Sequence, residues 1–317
     1  MSWNSVCLWE TPVKAKALKL PMTHDQVTLS TAQATRLVDR QFPEFAGQQV
    51  RPLASSGADN WMFRLGFQHV LRFPRRPSAV GLLRREAEWL AHMTDLPLQI
   101  PDYVALGDPG EGYPWPWGVM TWIPGRRADL ASLRSPTQAA KDLAAFTRAL
   151  RAMPGQAGPI AGSANRNRGA PLDRLNEVAT EAIGQLGDLF DTREMLMVWD
   201  AALGTPSWTG PPMWLHGDLN TGNLLARDGD LAAVIDFGLF ARGDPAVDLM
   251  PGWLLFERTQ REVFLRECGL DDDTLMRGMG WALYAGVVAL ARYRHSDRPL
   301  ARMTHRAIAE VLGDMLI

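Results

Sequence analysis

The hydrophobic pattern of the chain changes near Pro124 and Gly125, and this change is the strongest constraint on its fold. Before this point, the segments 50–54, 60–66 and 68–73 are short and rich in Val, Leu, Phe and Trp, which is typical of strands joined by tight turns. After it, apolar residues recur with a helical period through most of the chain. The sequence therefore predicts an α+β fold in which a sheet-rich part precedes a mainly helical part.

The sheet-rich part is predicted to contain five antiparallel strands, the last two near 102–107 and 118–123. Helices are predicted over 29–42 and 79–94. In the later part, helical periodicity marks 136–152, 172–189, 192–203, 245–257, 258–268, 272–293 and 299–316. Between 213 and 237 the pattern returns to short apolar runs, at 213–215, 224–225 and 231–235. We therefore divide the chain into an extension outside the fold (1–22), a sheet-rich domain (23–124) and a helical domain (125–317).

Composition excludes several classes of protein. The 33 basic and 35 acidic residues give a net charge of -2, which provides no positive field for a nucleic-acid backbone. The two cysteines, Cys7 and Cys268, cannot form a disulfide framework and fit a reducing cytoplasm. The longest apolar run, 278–291, is about fourteen residues long, whereas a membrane-spanning helix needs ~20. We expect a cytoplasmic protein with no nucleic-acid or membrane partner, and a buried helix at 278–291.

The segment most informative about chemistry is His216-Gly217-Asp218, followed by Asn223 and then by Asp236 after an apolar run. A carboxylate on a loop can accept a hydrogen bond from a substrate hydroxyl. The amide oxygen of Asn223 and the carboxylate of Asp236 are the hard oxygen ligands that Mg²⁺ prefers. Each piece alone is equally typical of a turn. The three residues in this order and at this spacing instead indicate phosphoryl transfer from a nucleotide, with Asp218 as catalytic residue.

At these residues the chain resembles the aminoglycoside phosphotransferase family of small-molecule kinases, which share the protein-kinase fold. The resemblance runs from about Gln41 to the C-terminus. It is carried by the 216–223 loop, by Ile235-Asp236-Phe237-Gly238 and by the helix start 243–249, Gly-Asp-Pro-Ala-Val-Asp-Leu. A closer likeness, to a bacterial branch of the family, lies in 56–60, 71–75 and 113–117. The resemblance implies a two-lobed kinase-like fold, ATP and Mg²⁺ as cofactors, and Asn223 and Asp236 as metal ligands.

The phosphates of a bound nucleotide require a cation, which kinases place as a Lys on the third strand, paired with a Glu on the next helix. No Lys lies between Lys19 and Lys141, so the chain departs from that pattern. Arg72 occupies the matching position, and we predict that it pairs with Glu86, with Glu88 as the second choice. A surface Arg on an edge strand is the alternative interpretation.

The remaining nucleotide contacts are implied less directly. Ser55, Ser56 and Gly57 join the first two strands where a phosphate-covering loop belongs, although a plain hairpin turn would have the same sequence. By analogy with the family, the backbone of Thr121 and Ile123 is expected to bind the adenine edge. His216 and Asp248 are interpreted as structural, with His216 packed beneath the catalytic loop and Asp248 bracing it.

The sequence leaves the acceptor open. A polycationic aminoglycoside requires a carboxylate-lined pocket, for which the 271–273 Asp cluster is a candidate, although such a cluster more commonly begins a solvated helix. Trp253 and Trp281 are candidates for an acceptor wall or, alternatively, for the core. We expect a small hydroxylated acceptor, either an aminoglycoside or another antibiotic-like compound. The alternatives are a choline-, homoserine- or sugar-like metabolite, or a non-catalytic nucleotide-binding module.

Overall fold

The computed structural model describes residues 26–53, 59–154, 157–296 and 298–315. The predicted extension 1–22 lies outside these residues. The chain divides into two compact units. The first consists of the described part of Met1–Ala91 together with Pro101–Arg126, and the second of His92–Ile100 together with the described part of Arg127–Ile317.

The first unit contains a five-stranded antiparallel sheet, as the sequence predicts. Its strands are β1 (Val50–Pro52), β2 (Asn60–Leu65), β3 (His69–Pro74), β4 (Tyr103–Gly107) and β5 (Trp117–Thr121). The order across the sheet is β1-β2-β3-β5-β4, and every neighbouring pair is antiparallel. Strand β3 is therefore central, which places its residues between two partners.

Aromatic side chains and two helices complete this unit. Helix α1 (Thr31–Gln41) begins with a capping box between Ser30 and Gln33. Helix α2 (Pro77–Leu90) begins at a proline, which suits the first turn because its missing N–H has no intrahelical partner there. The rings of Phe73 and Trp117 stack with centroids 4.7 Å apart, and α1 packs its buried face against the same cluster.

The second unit is mainly helical in the residues described. Its α-helices are α3 (Pro136–Ala152), α4 (Asn176–Gly184), α5 (Thr192–Gly204), α6 (Pro251–Leu254), α7 (Arg258–Cys268), α8 (Asp272–Tyr293) and α9 (Arg298–Met315). Five of these match their predicted bounds within about two residues. The prediction of one helix over 172–189 is wrong in extent, because a 3-10 turn, Leu172–Leu175, precedes α4. The prediction of one helix over 245–257 is wrong, because Pro251 interrupts it.

Two small sheets interrupt the helices. Strand β7 (Met213–Leu215) pairs with β10 (Ala241–Gly243), and β8 (Leu224–Arg227) forms a hairpin with β9 (Asp230–Val234). The short strand β6 (Arg126–Arg127) is next to β8 in the sheet order. The sequence predicts β7, β8 and β9 but does not predict β6 and β10, which contain no run of large apolar residues.

Helix α8 is a core helix of the second unit. Among the described residues it is the one helix long and apolar enough to cross a membrane by length and composition, but 56% of its apolar stretch is buried inside the protein. Ten of its residues are buried, including Arg277 and Trp281. The predicted buried helix at 278–291 is therefore confirmed.

A buried ion pair connects α8 to the segment that begins at Asp244. Arg277 Nε donates to Asp244 Oδ2 at 2.7 Å, and both side chains are less than one-tenth exposed. Asp244 also caps the 3-10 helix Pro245–Leu249, since its Oδ1 accepts from Ala246 N–H. Arg277 further donates to the carbonyl of Pro206 at 2.7 Å. The start of the 245–249 helix is thus held from two sides.

Replacing Arg277 with Met is expected to destabilise the protein by about 3–5 kcal/mol, because the Asp244 carboxylate remains buried without its partner. Arg258→Met is the matched control: it breaks the exposed pair with Glu262 and should change stability by less than ~1 kcal/mol. Equilibrium urea unfolding measures both. Equal effects of the two substitutions would contradict a stabilising role for the buried pair.

Candidate active site

The loop between β7 and β8 places Asp218 and Asn223 in direct contact. Asn223 Nδ2 donates to Asp218 Oδ2 and to the Asp218 carbonyl, both at 2.9 Å. Asn220 Nδ2 also donates to the Asp218 carbonyl, and its own Oδ1 accepts from Gly222 N–H. These bonds fold the loop back on itself, so the Asp218 carboxylate has one oxygen bound to Asn223 and the other facing away from it.

Asp236 lies at the same end of the β8–β9 hairpin as Asn223. Leu224 pairs with Val234, and Ile235 N–H donates to the Asn223 carbonyl at 2.9 Å. Asp236 is the next residue after Ile235. Asp236 has φ 65° and ψ 69°, a left-handed conformation that is uncommon for a residue with a side chain. The hairpin, rather than a contiguous motif, is what brings the amide and the second carboxylate together.

The donor set suits Mg²⁺. The side chains of Asn223 and Asp236 both offer oxygen. Because the Asn223 amide nitrogen binds Asp218, its Oδ1 remains available to a cation. Mg²⁺ in phosphate-binding sites commonly takes one or two protein oxygens and completes its shell with water and phosphate. In the described part of the chain, no group of three or more His, Cys, Asp or Glu residues is placed to hold a metal. Asn223 Oδ1 and the Asp236 carboxylate are thus two oxygen donors of the kind that Mg²⁺ prefers.

His216 is structural, in agreement with the sequence interpretation. Its ring is fully buried, with Nε2 3.1 Å from the Ile235 carbonyl and Nδ1 3.2 Å from the Asp218 N–H. Burial lowers the pKa of His216 to about 4. A neutral ring with its proton on Nε2 satisfies both contacts. The ring therefore connects the backbone of Asp218 to that of Ile235, the residue before Asp236.

Asp248 braces the loop from below, also as expected. Its Oδ2 accepts from His216 N–H at 2.7 Å and its Oδ1 accepts from Gly217 N–H at 2.8 Å. Burial raises the pKa of Asp248 to about 6, against the opposing effect of these two bonds. Gly217 has φ 80°, and a Cβ there would lie 2.8 Å from the Leu239 carbonyl oxygen. The glycine is thus required by both its conformation and its surroundings.

The pKa of Asp218 is raised to about 6 by burial, and the positive charge of Arg168 opposes this rise. Arg168 Nη2 lies 3.7 Å from Asp218 Oδ1. Sequence reasoning missed Arg168, since it lies about 50 residues upstream in a stretch without helical or strand periodicity. The segment 163–170, rich in Asn, Arg and Gly, was the only available signal.

In the first unit, Arg72 and Glu86 form the predicted pair. Arg72 Nη1 lies 2.6 Å from Glu86 Oε2, and both side chains are buried. Tyr103 Oη donates to the same Glu86 oxygen at 2.9 Å. With its amide oriented to satisfy both groups, Asn60 accepts from Nε and Nη2 of Arg72 at 3.1 Å. Arg72 is therefore not a surface Arg on an edge strand, and the exposed Glu88 is not its partner.

Among the other predicted nucleotide contacts, Thr121 and Ile123 lie at and just beyond the end of β5. The N–H groups of Thr121 and Trp122 donate to the Asp102 and Gln68 carbonyls at 2.9 and 2.8 Å. Within the described residues, the Ile123 N–H makes no such backbone bond. Ser55, Ser56 and Gly57 lie outside the described residues, so their role stays a prediction.

Two candidate acceptor features belong to the fold instead. Asp271 caps α8, with Oδ1 accepting from Thr274 N–H at 2.7 Å, and the neighbouring Asp272 and Asp273 are exposed in its first turn. The cluster is thus a solvated helix start. Trp253 and Trp281 are both fully buried, so they are core residues and no acceptor wall.

Comparison with known sequence families identifies the family of this chain. The sequence model of the phosphotransferase enzyme family (APH) matches residues 50–280, which is most of the chain. No curated protein sequence matches the chain significantly.

Solved structures of aminoglycoside and macrolide phosphotransferases share the fold of this chain at low sequence identity. The GDP complex of wild-type aminoglycoside 2'-phosphotransferase-IIIa is 20% identical, with 90% of this chain and 100% of that one covered and a TM-score of 0.70. The GDP and kanamycin complex of APH(2")-IIIa is 21% identical, with coverages of 89% and 98% and a TM-score of 0.69. Macrolide 2'-phosphotransferase MphH from Brachybacterium faecium is 20% identical, with coverages of 88% and 97% and a TM-score of 0.56.

The substitution Asp248→Asn is expected to loosen the catalytic loop, because an amide replaces one of the two oxygens and one backbone N–H loses its acceptor. Hydrogen–deuterium exchange of the peptide containing 215–224 should become at least about tenfold faster, while α7 is unaffected. Asp273→Asn, at the exposed start of α8, is the control. Unchanged exchange in Asp248→Asn would show that other contacts hold the loop.

Proposed function

Because the chain belongs to the phosphotransferase enzyme family, we propose that it transfers the γ-phosphoryl group of ATP, with Mg²⁺, to a hydroxyl of a small molecule. The observation that carries this proposal is the arrangement at the end of the β8–β9 hairpin. There Asp218 and Asn223 are hydrogen-bonded to each other, and Asp236 follows the residue whose N–H binds the Asn223 carbonyl.

Asp218 acts on the acceptor hydroxyl. Its Oδ1, the oxygen that Asn223 does not hold, accepts the hydroxyl hydrogen bond and orients the oxygen toward the γ-phosphorus. As the new P–O bond forms and the bond to the ADP oxygen breaks, Asp218 takes the hydroxyl proton. Phosphoryl transfer requires little covalent chemistry from the protein, so positioning supplies most of the rate enhancement.

Asn223 Oδ1 and the Asp236 carboxylate would hold Mg²⁺. Bound there, the metal would neutralise charge on the phosphate oxygens. The protein's own contribution is to keep the two oxygens fixed. The hairpin register fixes Asn223, and the hydrogen bond between His216 and the Ile235 carbonyl fixes the backbone just before Asp236.

Arg72 is proposed to bind the nucleotide phosphates in place of the usual Lys. Its guanidinium presents planar, bidentate donors rather than a single point charge, and Glu86 and Asn60 hold it in one orientation. The carbonyl of Thr121 and the N–H of Ile123 are proposed to bind the adenine edge. Support for this comes from the Ile123 N–H, which the sheet does not use.

The first acceptors to test are aminoglycosides and other antibiotic-like compounds, since the similar solved structures include a kanamycin complex and a macrolide phosphotransferase. Metabolites with a hydroxyl group are the alternative. They would share every residue discussed above and differ in the acceptor-binding residues alone.

Asp218→Asn is expected to lower kcat by about 10²–10⁴-fold while ATP still binds, because an amide cannot take the hydroxyl proton. ADP release under Mg-ATP with an accepted substrate measures turnover, and calorimetry measures ATP binding. Asp200→Asn, an exposed change on α5, is the control and should leave both unchanged. Full activity of Asp218→Asn would exclude Asp218 as the base.

Arg72→Gln is expected to raise the KM for ATP by about 10- to 100-fold, because a charge-assisted bond to phosphate is lost. The KM for the acceptor should not change. Arg72→Lys keeps the charge and is expected to recover part of the affinity. Arg84→Gln, exposed on α2, controls for net charge. An unchanged KM for ATP would restrict Arg72 to a structural role.

A further inference from the structure

Arg168 lies beside the oxygen of Asp218 that Asn223 does not bind. Oδ2 of Asp218 accepts from Asn223, the expected metal ligand, whereas Oδ1 lies 3.7 Å from Nη2 of Arg168. The carboxylate thus has a metal side and an opposite side. A hydroxyl bound at Oδ1 would have the Arg168 guanidinium as its neighbour.

The loop that carries Arg168 is anchored to the site. Asn165 is buried, and its Nδ2 donates to the carbonyls of Arg168 and Leu239 at 2.8 and 3.0 Å. Its Oδ1 accepts from Gly162 N–H at 2.9 Å. Leu239 follows three residues after Asp236, so the same turn supports the second carboxylate and the Arg168 backbone. The backbone of Arg168 is therefore held in place beside the site.

The Arg168 guanidinium has N–H groups that can donate to a ligand. Arginine carries five N–H donors, and Nη1 of Arg168 contacts the Met250 sulfur, a weak acceptor, at 3.6 Å. The 3.7 Å separation from Asp218 is longer than the ~2.7–2.9 Å of a charge-assisted hydrogen bond. The Arg168 side chain is 17% exposed, so a small molecule can reach it.

The charges near Asp218 favour one kind of acceptor. The positive charges of Arg168 and Arg166, both on this loop, lower the pKa of Asp218, whereas the negative charge of Asp236 raises it. Asp236 is already assigned to the metal. A polycationic acceptor would meet like charge at this loop, whereas an anionic group would meet opposite charge.

We propose that Arg168 binds an anionic group of the acceptor, so that the substrate is a small alcohol with a carboxylate or phosphate near its reactive hydroxyl. This rests on the function proposed above, since it takes Asp218 as the residue that binds the hydroxyl. With ordinary hydrogen-bond lengths at Asp218 and Arg168, the hydroxyl and anionic oxygens lie at most about 9 Å apart. Hydroxy acids, sugar acids and sugar phosphates meet this limit.

The test compares acceptors with the same carbon skeleton, one carrying an anionic group and the other neutral, and adds a cationic compound. ADP release under Mg-ATP is measured with D-glucuronate against D-glucose, D-glycerate against glycerol, glucose 6-phosphate, and kanamycin as the cationic compound. Binding of each compound to the wild-type enzyme and to Arg168→Gln is measured by calorimetry with a non-hydrolysable ATP analogue. The variants are Arg168→Gln, Arg168→Lys, Asp218→Asn and, as the charge-matched control at an exposed position of the Leu172–Leu175 3-10 helix, Arg174→Gln.

The expected result is a preference for an anionic compound over its neutral counterpart of about tenfold or more in kcat/KM. Arg168→Gln should remove that preference by raising the KM for the anionic compound, while the KM for ATP and the values for the neutral compound stay unchanged. Arg168→Lys should restore part of it, and Arg174→Gln should behave as wild type. A structural role alone would not separate the two acceptors.

Two results would overturn the proposal. One is preferred turnover of kanamycin or of the neutral compounds, unaffected by Arg168→Gln. The other is no turnover and no binding of any anionic compound. If no compound gives Asp218-dependent ADP release but the anionic ones bind wild type more tightly than Arg168→Gln, the proposed function fails while the anion site stands.

Discussion

The geometry of the catalytic loop depends on the Asp248 carboxylate. Its two oxygens accept the N–H groups of His216 and Gly217, and it is 3% exposed. Burying this group is costly, as its raised pKa shows, and two hydrogen bonds offset part of the cost. His216 in turn restrains the backbone of Asp218 and of Ile235, because its two ring nitrogens contact Asp218 N–H and the Ile235 carbonyl. One buried carboxylate thus sets the backbone on both sides of the site.

Asp248 is itself held by the fold beneath it. It lies in the 3-10 helix that Asp244 caps, and Asp244 is paired with Arg277 of α8. Helix α8 contributes ten buried residues to the second unit, so the position of the loop is tied to the largest helical surface in that unit. A break in any of these contacts propagates because each link is buried, where an unpaired polar group has no water to replace its partner.

The sequence predicts those parts of the site whose residues are local in the chain. Asp218, Asn223 and Asp236 stand within about 20 residues, and a single hairpin joins them, so spacing alone indicates their proximity. Arg168 is distant in sequence and meets Asp218 only through tertiary contacts, which no periodicity encodes. The helix predicted over 245–257 is instead divided: a 3-10 helix capped by Asp244 comes first, and Pro251, which lacks a backbone donor, begins a separate short helix.

Arg72 and Arg168, the two arginines proposed to bind ligands, differ in burial and in how tightly the protein holds their guanidinium groups. Arg72 is almost completely buried and its guanidinium is directed by Glu86 and Asn60, so its orientation is fixed by the protein. Arg168 is more exposed and its contacts to Asp218 and Met250 are long. Because its charge opposes the effect of burial on the pKa of Asp218, it favours the ionised carboxylate that the proposed proton uptake requires. The same long contacts are consistent with the proposal that Arg168 binds a ligand as well as acting on Asp218.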